Sequence, residues 1–274
     1  MWVVRAGAVP YERARAVQRR LEAARQADLV PDLLLLLEHP PVYTRGRRTE
    51  AEELAMGVDW YEAQGIEVCD TDRGGRVTYH GPGQLVGYPI VSLRDLGNRG
   101  TPGGAAEDAP REDVVAYVRR LERVMIAALA DHGVPAGTIE GLTGVWTPLP
   151  RPGSDRATPG SEAEDVARGD VRKIGSIGVH VSRGVTTHGL AVNVSNDLQP
   201  FEWIVPCGID GCRMTSLSRE VGSQQDLDRF AASVADRFAE VYGRKQVEVS
   251  ASDLARRVEG ADALAEHAGA GALR

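Results

Sequence analysis

The sequence predicts a single domain of mixed α+β class, a mixed β-sheet with flanking helices. Three stretches repeat apolar residues at helical spacing, and between them lie extended apolar runs too short to stand as helices. With 274 residues and 42% apolar composition, the chain can bury one substantial core. Residues 1–250 read as that domain, with an insertion at 147–171 and a weakly specified tail at 251–274.

Trp2-Val3-Val4 opens a short strand. Tyr11, Ala14, Val17, Leu21 and Ala24 then recur at spacings of three and four, which predicts a helix. After Pro31-Asp32, the run Leu33 to Leu37 ends at Glu38-His39-Pro40-Pro41 and reads as a strand buried on both faces. Ile66 to Cys69 and Val77 to Val91 are extended. Val114, Val115, Val118, Leu121, Met125, Ala128 and Leu129 form the stripe of a second helix, with Glu112 and Asp113 at its positive end and a stop near Gly133. Lys173 to Val181 and Val185 to Val194 are strands joined by Ser182-Arg183-Gly184, a hairpin connection. The last helix spans about 223–242, where Ser223 and Asp226 resemble a capping arrangement. Gly97 to Pro110 and Thr147 to Val171 are rich in Gly and Pro with little periodicity, and the second predicts a mobile insertion directly before Lys173.

Composition excludes several classes. A formal charge of −7 argues against nonspecific nucleic-acid binding. No apolar run approaches the ~20 residues of a membrane span, and Met1 to Tyr11 has no secretory h-region, so a cytoplasmic location follows. The three cysteines, Cys69, Cys207 and Cys212, have no zinc spacing, so no metal is expected.

Cys207 carries the candidate chemistry. Pro206 restricts the backbone before it and Gly208 frees the backbone after it, a loop able to present sulfur and to offer peptide N–H groups to an oxyanion. Lys173 heads the small-residue strand Lys173-Ile174-Gly175-Ser176-Ile177-Gly178-Val179, and an ammonium near a thiol raises its thiolate fraction. The pair points to acyl transfer through a thioester; the alternative for Cys207 is a buried small hydrophobe. Cys69 reads as core and Cys212 as a bystander.

Arg73-Gly74-Gly75-Arg76-Val77-Thr78-Tyr79-His80-Gly81-Pro82-Gly83 combines glycines that permit close approach with side-chain donors, and fits neither a Walker loop nor a dinucleotide fingerprint. It reads as a pocket lining or as a plain strand-loop-strand. Regular alternation places Lys173, Gly175, Ile177 and Val179 on one face of their strand, with Ile174, Ser176 and Gly178 on the other. Gly189 and Ala191 leave room beside His188, and Asn193 falls on the face opposite His188. His80 and His188 are candidate bases, orienting donors or structural histidines. His39, His132, His180 and His267 receive no role.

The four ordered blocks RGGRVTYHGPGQL, KIGSIGVH, THGLAVNV and PCGI resemble the octanoyl-acyl-carrier-protein:protein octanoyltransferases, also called lipoyl(octanoyl) transferases, over about residues 30–220. The resemblance implies a fold similar to biotin and lipoate protein ligase catalytic domains. It implies an acyltransferase that moves an octanoyl group from octanoyl-acyl carrier protein to a lysine of lipoyl domains. Those domains belong to 2-oxoacid dehydrogenase complexes and the glycine cleavage H protein. Matched by motif, Cys207 is the acyl-accepting nucleophile and Lys173 lowers its pKa. Arg73, Gly74, Gly75, Arg76, Val77, Thr78, Tyr79 and His80, with Ser176, Ile177, Gly178, Gly189, Leu190 and Ala191, match the acyl-binding segments; His188 and Asn193 support them. No cofactor, nucleic acid or membrane enters, and a monomer is expected. The insertion at 147–171 is longer than the family's usual connection.

Both steps need no nucleotide, since a thioester exchanges for a thioester and then falls to an amide. Acidic partners facing an acidic enzyme suggest a basic docking rim of Arg45, Arg47, Arg48, Arg73 and Arg76. An ATP-dependent ligase of the lipoate or biotin class, and a noncatalytic lipoyl-domain or carrier-binding module, are the competing readings.

Overall fold

The computed structural model describes residues 1–94, 113–148, 171–209 and 211–264. Its strands in chain order are β1 (Trp2–Ala8), β2 (Leu33–Glu38), β3 (Val42–Arg45), β4 (Glu67–Asp70), β5 (Thr78–His80), β6 (Gln84–Ile90), β7 (Gly137–Ile139), β8 (Leu142–Pro148), β9 (Val171–Ser182), β10 (Val185–Asn193) and β11 (Val247–Glu248). The α-helices are α1 (Tyr11–Gln26), α2 (Val58–Ala63), α3 (Val114–Asp131), α4 (Leu217–Val221), α5 (Leu227–Val241) and α6 (Ala251–Arg257). Eight strands form one sheet in the order β11-β1-β2-β6-β10-β9-β8-β7, and β4, β3 and β5 form a smaller one. β1 runs parallel to β2 and β11 while β2, β6, β10, β9 and β8 pair antiparallel, so the sheet is mixed as the sequence predicts.

The leucine run of β2 shows why both faces are covered. Leu34 and Leu36 pack under α3 and α5 with Tyr117, Leu121, Met125, Phe230 and Phe238. Leu33, Leu35 and Leu37 pack under α1 and α6 with Val17, Leu21 and Leu254. Period-2 alternation of one apolar residue type thus feeds two helical layers. Asp113 caps α3 by accepting from the Val115 and Ala116 N–H groups at 2.6 and 2.9 Å, and Asp226 caps α5 by accepting from Arg229 N–H at 3.0 Å. The hairpin between β9 and β10 turns on Arg183 and Gly184, both at positive φ, the two-residue turn whose twist suits flanking strands.

Several sequence expectations shift. The extended stretch Val77 to Val91 is two strands in different sheets, because Gly81-Pro82-Gly83 turns the chain between β5 and β6. Val114 and Val115 are exposed, and the buried stripe of α3 starts at Tyr117. Ser223 lies before α5 in a loop that holds Gln225. The ends of the expected insertion are strand: Thr147 pairs with Arg172 and Pro148 with Val171. The remainder of that insertion, the whole of Gly97 to Pro110, and His267 lie outside the described residues. The tail expected from 251 onward is ordered structure through Leu264, since Ala251, Leu254, Val258, Ala261 and Leu264 bury themselves beside α1. Among the described residues no helix is long and apolar enough to cross a membrane.

Candidate active site

A cavity of about 500 Å³ opens over the large sheet. Its floor is made of small residues on adjacent strands, Ser176 and Gly178 of β9 opposite Ala191 and Gly189 of β10, with Val86 and Tyr88 of β6 beyond. Gly189 must be glycine here, because a Cβ would lie 2.3 Å from Gly87 O and 2.5 Å from Pro89 Cδ. The segment Arg73 to Arg76 crosses above: Gly74 N–H donates to Val179 O at 2.9 Å, and a Cβ on Gly178 would lie 2.9 Å from Gly74 O. Arg73 fixes this strap by donating from Nη2 to Thr44 O at 2.6 Å and to Thr44 Oγ1 at 2.8 Å. Gly178→Val is therefore expected to push the strap off the sheet at a cost of about 1–3 kcal/mol. Binding of a ligand in the cavity should weaken at least roughly tenfold; unchanged binding would take the strap out of the site.

Lys173 is buried, 2% exposed, and lines this cavity. Its Nζ donates to Thr143 O at 3.0 Å and lies 5.2 Å from the Trp146 ring centre. Gly144, at φ +123°, makes room for it: a Cβ there would lie 2.7 Å from Lys173 Cε. The expected alternation fails at this point. Val145 pairs with Gly175 while Trp146 pairs with Lys173, which leaves Ile174 as an extra residue. Ile174 joins the same helix-covered cluster as Ile177, Val179 and Val181, so the bulge changes the phase of the strand.

The backbone of Cys207 lies in a one-turn 3₁₀ helix, Pro206–Gly208. Gly208 and Ile209, the residues that follow it, line the cavity together with Lys173. Lys173 N–H donates to Arg213 O at 2.8 Å, and Thr215 N–H to Lys173 O at 2.9 Å, which ties the chain after this turn to β9. The turn itself consumes two amides expected for an oxyanion, since Gly208 N–H donates to Val205 O and Ile209 N–H to Pro206 O. Arg76 lies against Gly208, where a Cβ would meet its Cδ at 2.1 Å.

Other expected site residues divide by strand face. Thr78 and His80 of β5 line the cavity, while Val77 and Tyr79 turn into a separate cluster with Tyr43 and Phe201. His80 donates from Nδ1 to Gln84 Oε1 at 2.6 Å. Gln84 Nε2 donates to Asn193 Oδ1 at 2.9 Å, and Asn193 Nδ2 to Thr215 O at 3.0 Å. Burial pushes His80 down to about 3, so it is neutral near pH 7. His188 has φ +56°, which undoes the regular alternation expected between it and Asn193. Its N–H donates to Gln18 Oε1 at 2.7 Å and its Nε2 lies 2.9 Å from Asp72 Oδ1. That bond holds the Asp72 carboxyl well below the usual carboxylate range, while burial lowers His188.

The basic rim is smaller than expected. Arg45 pairs with Asp70 at 2.8 Å, Arg76 with Glu50 and Glu53, and Arg73 is buried. Arg47 and Arg48 are exposed, and Arg48 lines the cavity. Cys69 is buried, its thiol pushed up to about 12 by burial and by Glu67. Sequence reasoning missed Tyr11, Tyr88, Val118, Leu142 and Thr143, whose place in the lining has no local signal.

The fold is that of the enzymes that attach lipoate to proteins. The bi-partite lipoate protein ligase of Thermoplasma acidophilum matches with a TM-score of 0.65 at 15% identity, over 96% of this chain and 89% of that one. A lipoate-protein ligase A bound with ATP matches at 0.61 and 17%, over 96% and 92%. The family model of the lipoyl protein ligase A/B catalytic domain matches residues 10–239. The octanoyltransferase of Acidobacterium capsulatum is 41% identical over 241 residues, 87% of this chain and 89% of the relative. That of Mycobacterium tuberculosis is 45% identical over 229 residues, 84% and 81%. This chain belongs to the lipoyl protein ligase A/B catalytic-domain family and, within it, to the octanoyltransferases; it is an acyltransferase.

Proposed function

We propose that the protein transfers an octanoyl group from octanoyl-acyl carrier protein to the lysine amine of lipoyl domains, through a thioester on Cys207. The acceptors are the lipoyl domains of 2-oxoacid dehydrogenase complexes and the glycine cleavage H protein. The observation that carries this reading is that Lys173 and the two residues after Cys207 line one cavity. The names of the octanoyltransferase relatives support the acyl group and its use in lipoylation.

In the first step the Cys207 thiolate attacks the carrier thioester carbonyl; a C–S bond to Cys207 forms and the C–S bond to the carrier breaks, releasing the carrier as a thiolate that takes a proton from solvent. In the second, the acceptor amine attacks the Cys207 thioester, an amide C–N bond forms as the C–S bond to Cys207 breaks, and the amine's proton is released to solvent, so that Cys207 leaves as the thiolate that began the cycle. The Lys173 ammonium favours the thiolate before the first attack and after the second departure. The glycine-lined floor and strap hold the alkyl chain, and each buried CH₂ contributes about 0.8 kcal/mol.

Intact-mass spectrometry after incubation with octanoyl-carrier tests this. Wild type is expected to gain one octanoyl mass, labile to hydroxylamine and discharged by a lipoyl domain, and Cys207→Ala to gain none. Equal transfer by the two proteins would refute the thioester route. Loading from free octanoate only when ATP is added would instead favour ligase chemistry.

A further inference from the structure

The peptide unit between Thr143 and Gly144 has both of its polar atoms committed. Its carbonyl accepts Lys173 Nζ at 3.0 Å, and its N–H donates at 3.0 Å to Oε1 of Glu122, a residue of α3. Glu122 is 1% exposed, and its other carboxylate oxygen accepts from Arg119 Nη1 at 2.7 Å. A buried carboxylate costs several kcal/mol unless it is well paired, and Arg119, 46% exposed, could have been met at the surface instead. The side chain nonetheless points inward, from a stripe otherwise built of Tyr117, Leu121, Val124, Met125 and Ala128, to this one peptide.

We infer that Glu122 is a positioning residue that holds and polarises the Thr143–Gly144 peptide, and through it fixes the Lys173 ammonium. The carboxylate draws the Gly144 proton, which increases electron density on the Thr143 oxygen that accepts from Nζ; hydrogen bonds in such a chain strengthen one another at low dielectric. The irregular pairing of β8 and β9 frees this peptide from the regular ladder, and Gly144, without a Cβ, lets the lysine chain pass alongside. Three elements thus meet on one group: α3 supplies the anion, β8 the peptide and β9 the cation. This inference rests on the proposed role of Lys173 beside Cys207.

The test uses the full chain in a Cys212→Ser background, comparing wild type, Glu122→Gln, Glu122→Leu and Lys173→Ala. The pH profile of Cys207 alkylation by iodoacetamide is read by intact mass. Lys173 order is read from lysine NH₃⁺ signals in ¹⁵N NMR, which are simple to assign because the chain has only two lysines, Lys173 and Lys245. Glu122→Leu is expected to move the alkylation profile to higher pH, to slow octanoyl loading roughly 10- to 30-fold, and to broaden the Lys173 signal. Glu122→Gln keeps an acceptor for Gly144 N–H and should recover most of the loading. A merely structural Glu122 would alter stability but leave the profile of the folded fraction in place.

Both Glu122 variants matching wild type in profile and NMR, while Lys173→Ala loses loading, would overturn the relay and leave the dyad standing. Lys173→Ala loading like wild type would instead sink the dyad, and the Lys173 signal in the Glu122 variants would still decide whether the peptide holds the lysine. If Glu122→Leu does not fold, Glu122→Gln and the exchange rate of the Gly144 amide decide the matter: faster exchange with a shifted profile would support the relay, and unchanged exchange and profile would overturn it.

Discussion

Lys173→Ala is expected to slow octanoyl loading of Cys207 roughly 20- to 100-fold at pH 7. An unperturbed thiol, with a pKa of about 8.5, is only about 3% thiolate at that pH, and a neighbouring ammonium raises that fraction. The intrinsic nucleophilicity lost with the lower pKa offsets part of that gain. Direct attraction of the tetrahedral oxyanion to the ammonium adds to it, because Lys173 is buried and the Gly208 and Ile209 amides are engaged in their own turn. Lys173→Arg is not expected to restore activity. The lysine chain threads past Gly144, where a Cβ would come within 2.7 Å of Cε and 3.2 Å of Nζ, a passage too narrow for a planar guanidinium. Single-turnover loading from pH 6 to 9 distinguishes the outcomes: a wild-type rate in the alanine variant, or full rescue by arginine, would end the electrostatic account.

Acid is expected to destabilise the fold well above the carboxylate range. His39 donates from Nδ1 to Val9 O at 2.6 Å and accepts from Tyr88 Oη at 2.7 Å, and burial pushes it down to about 4. His80, whose ring centre is 5.7 Å from that of His39, is pushed to about 3 by burial first and by His39 next. Both are neutral when folded and titrate near 6.5 when unfolded, so the unfolded chain binds more protons below 6.5. Their stabilisation is complete above pH 6.5 and is lost as pH falls toward 4 and then 3. By pH 5 each costs about 2 kcal/mol, a large share of the 5–15 kcal/mol typical of a domain. Urea midpoints at pH 7.5 and 5.0 would measure this, with His39→Gln expected to flatten the dependence; equal wild-type midpoints at the two pH values would contradict it.

The legible parts of this protein were those where one short stretch contains its own reason. The leucines of β2 declare a strand buried on both faces, Asp113 and Asp226 announce helix starts, and Arg183-Gly184 fits a two-residue turn. The glycines of the strap and floor were visible as residues needing close approach, and Gly178 beneath Gly74 is such an approach. The misreadings came where regular alternation was extrapolated through an irregularity. The extra residue at Ile174 and the left-handed backbone at His188 each reset a face, and neither leaves a mark on composition or spacing. The sheet switch at Gly81 to Gly83 hid the same way, inside a run that reads as one strand.

Residue chemistry and family are legible in the chain alone: a cysteine in a Pro-Cys-Gly turn, a lysine heading a small-residue strand, and four blocks in order. Which of these residues meet is a matter of packing. Glu122, on a helix far from Lys173 in sequence, reaches it through one peptide of β8, and the arginines that looked like a docking rim are largely consumed by Asp70, Glu50, Glu53 and Thr44. The physical reason is that burying a charge requires a partner, and the partner is chosen by what packing brings within hydrogen-bond reach, which sequence separation does not encode.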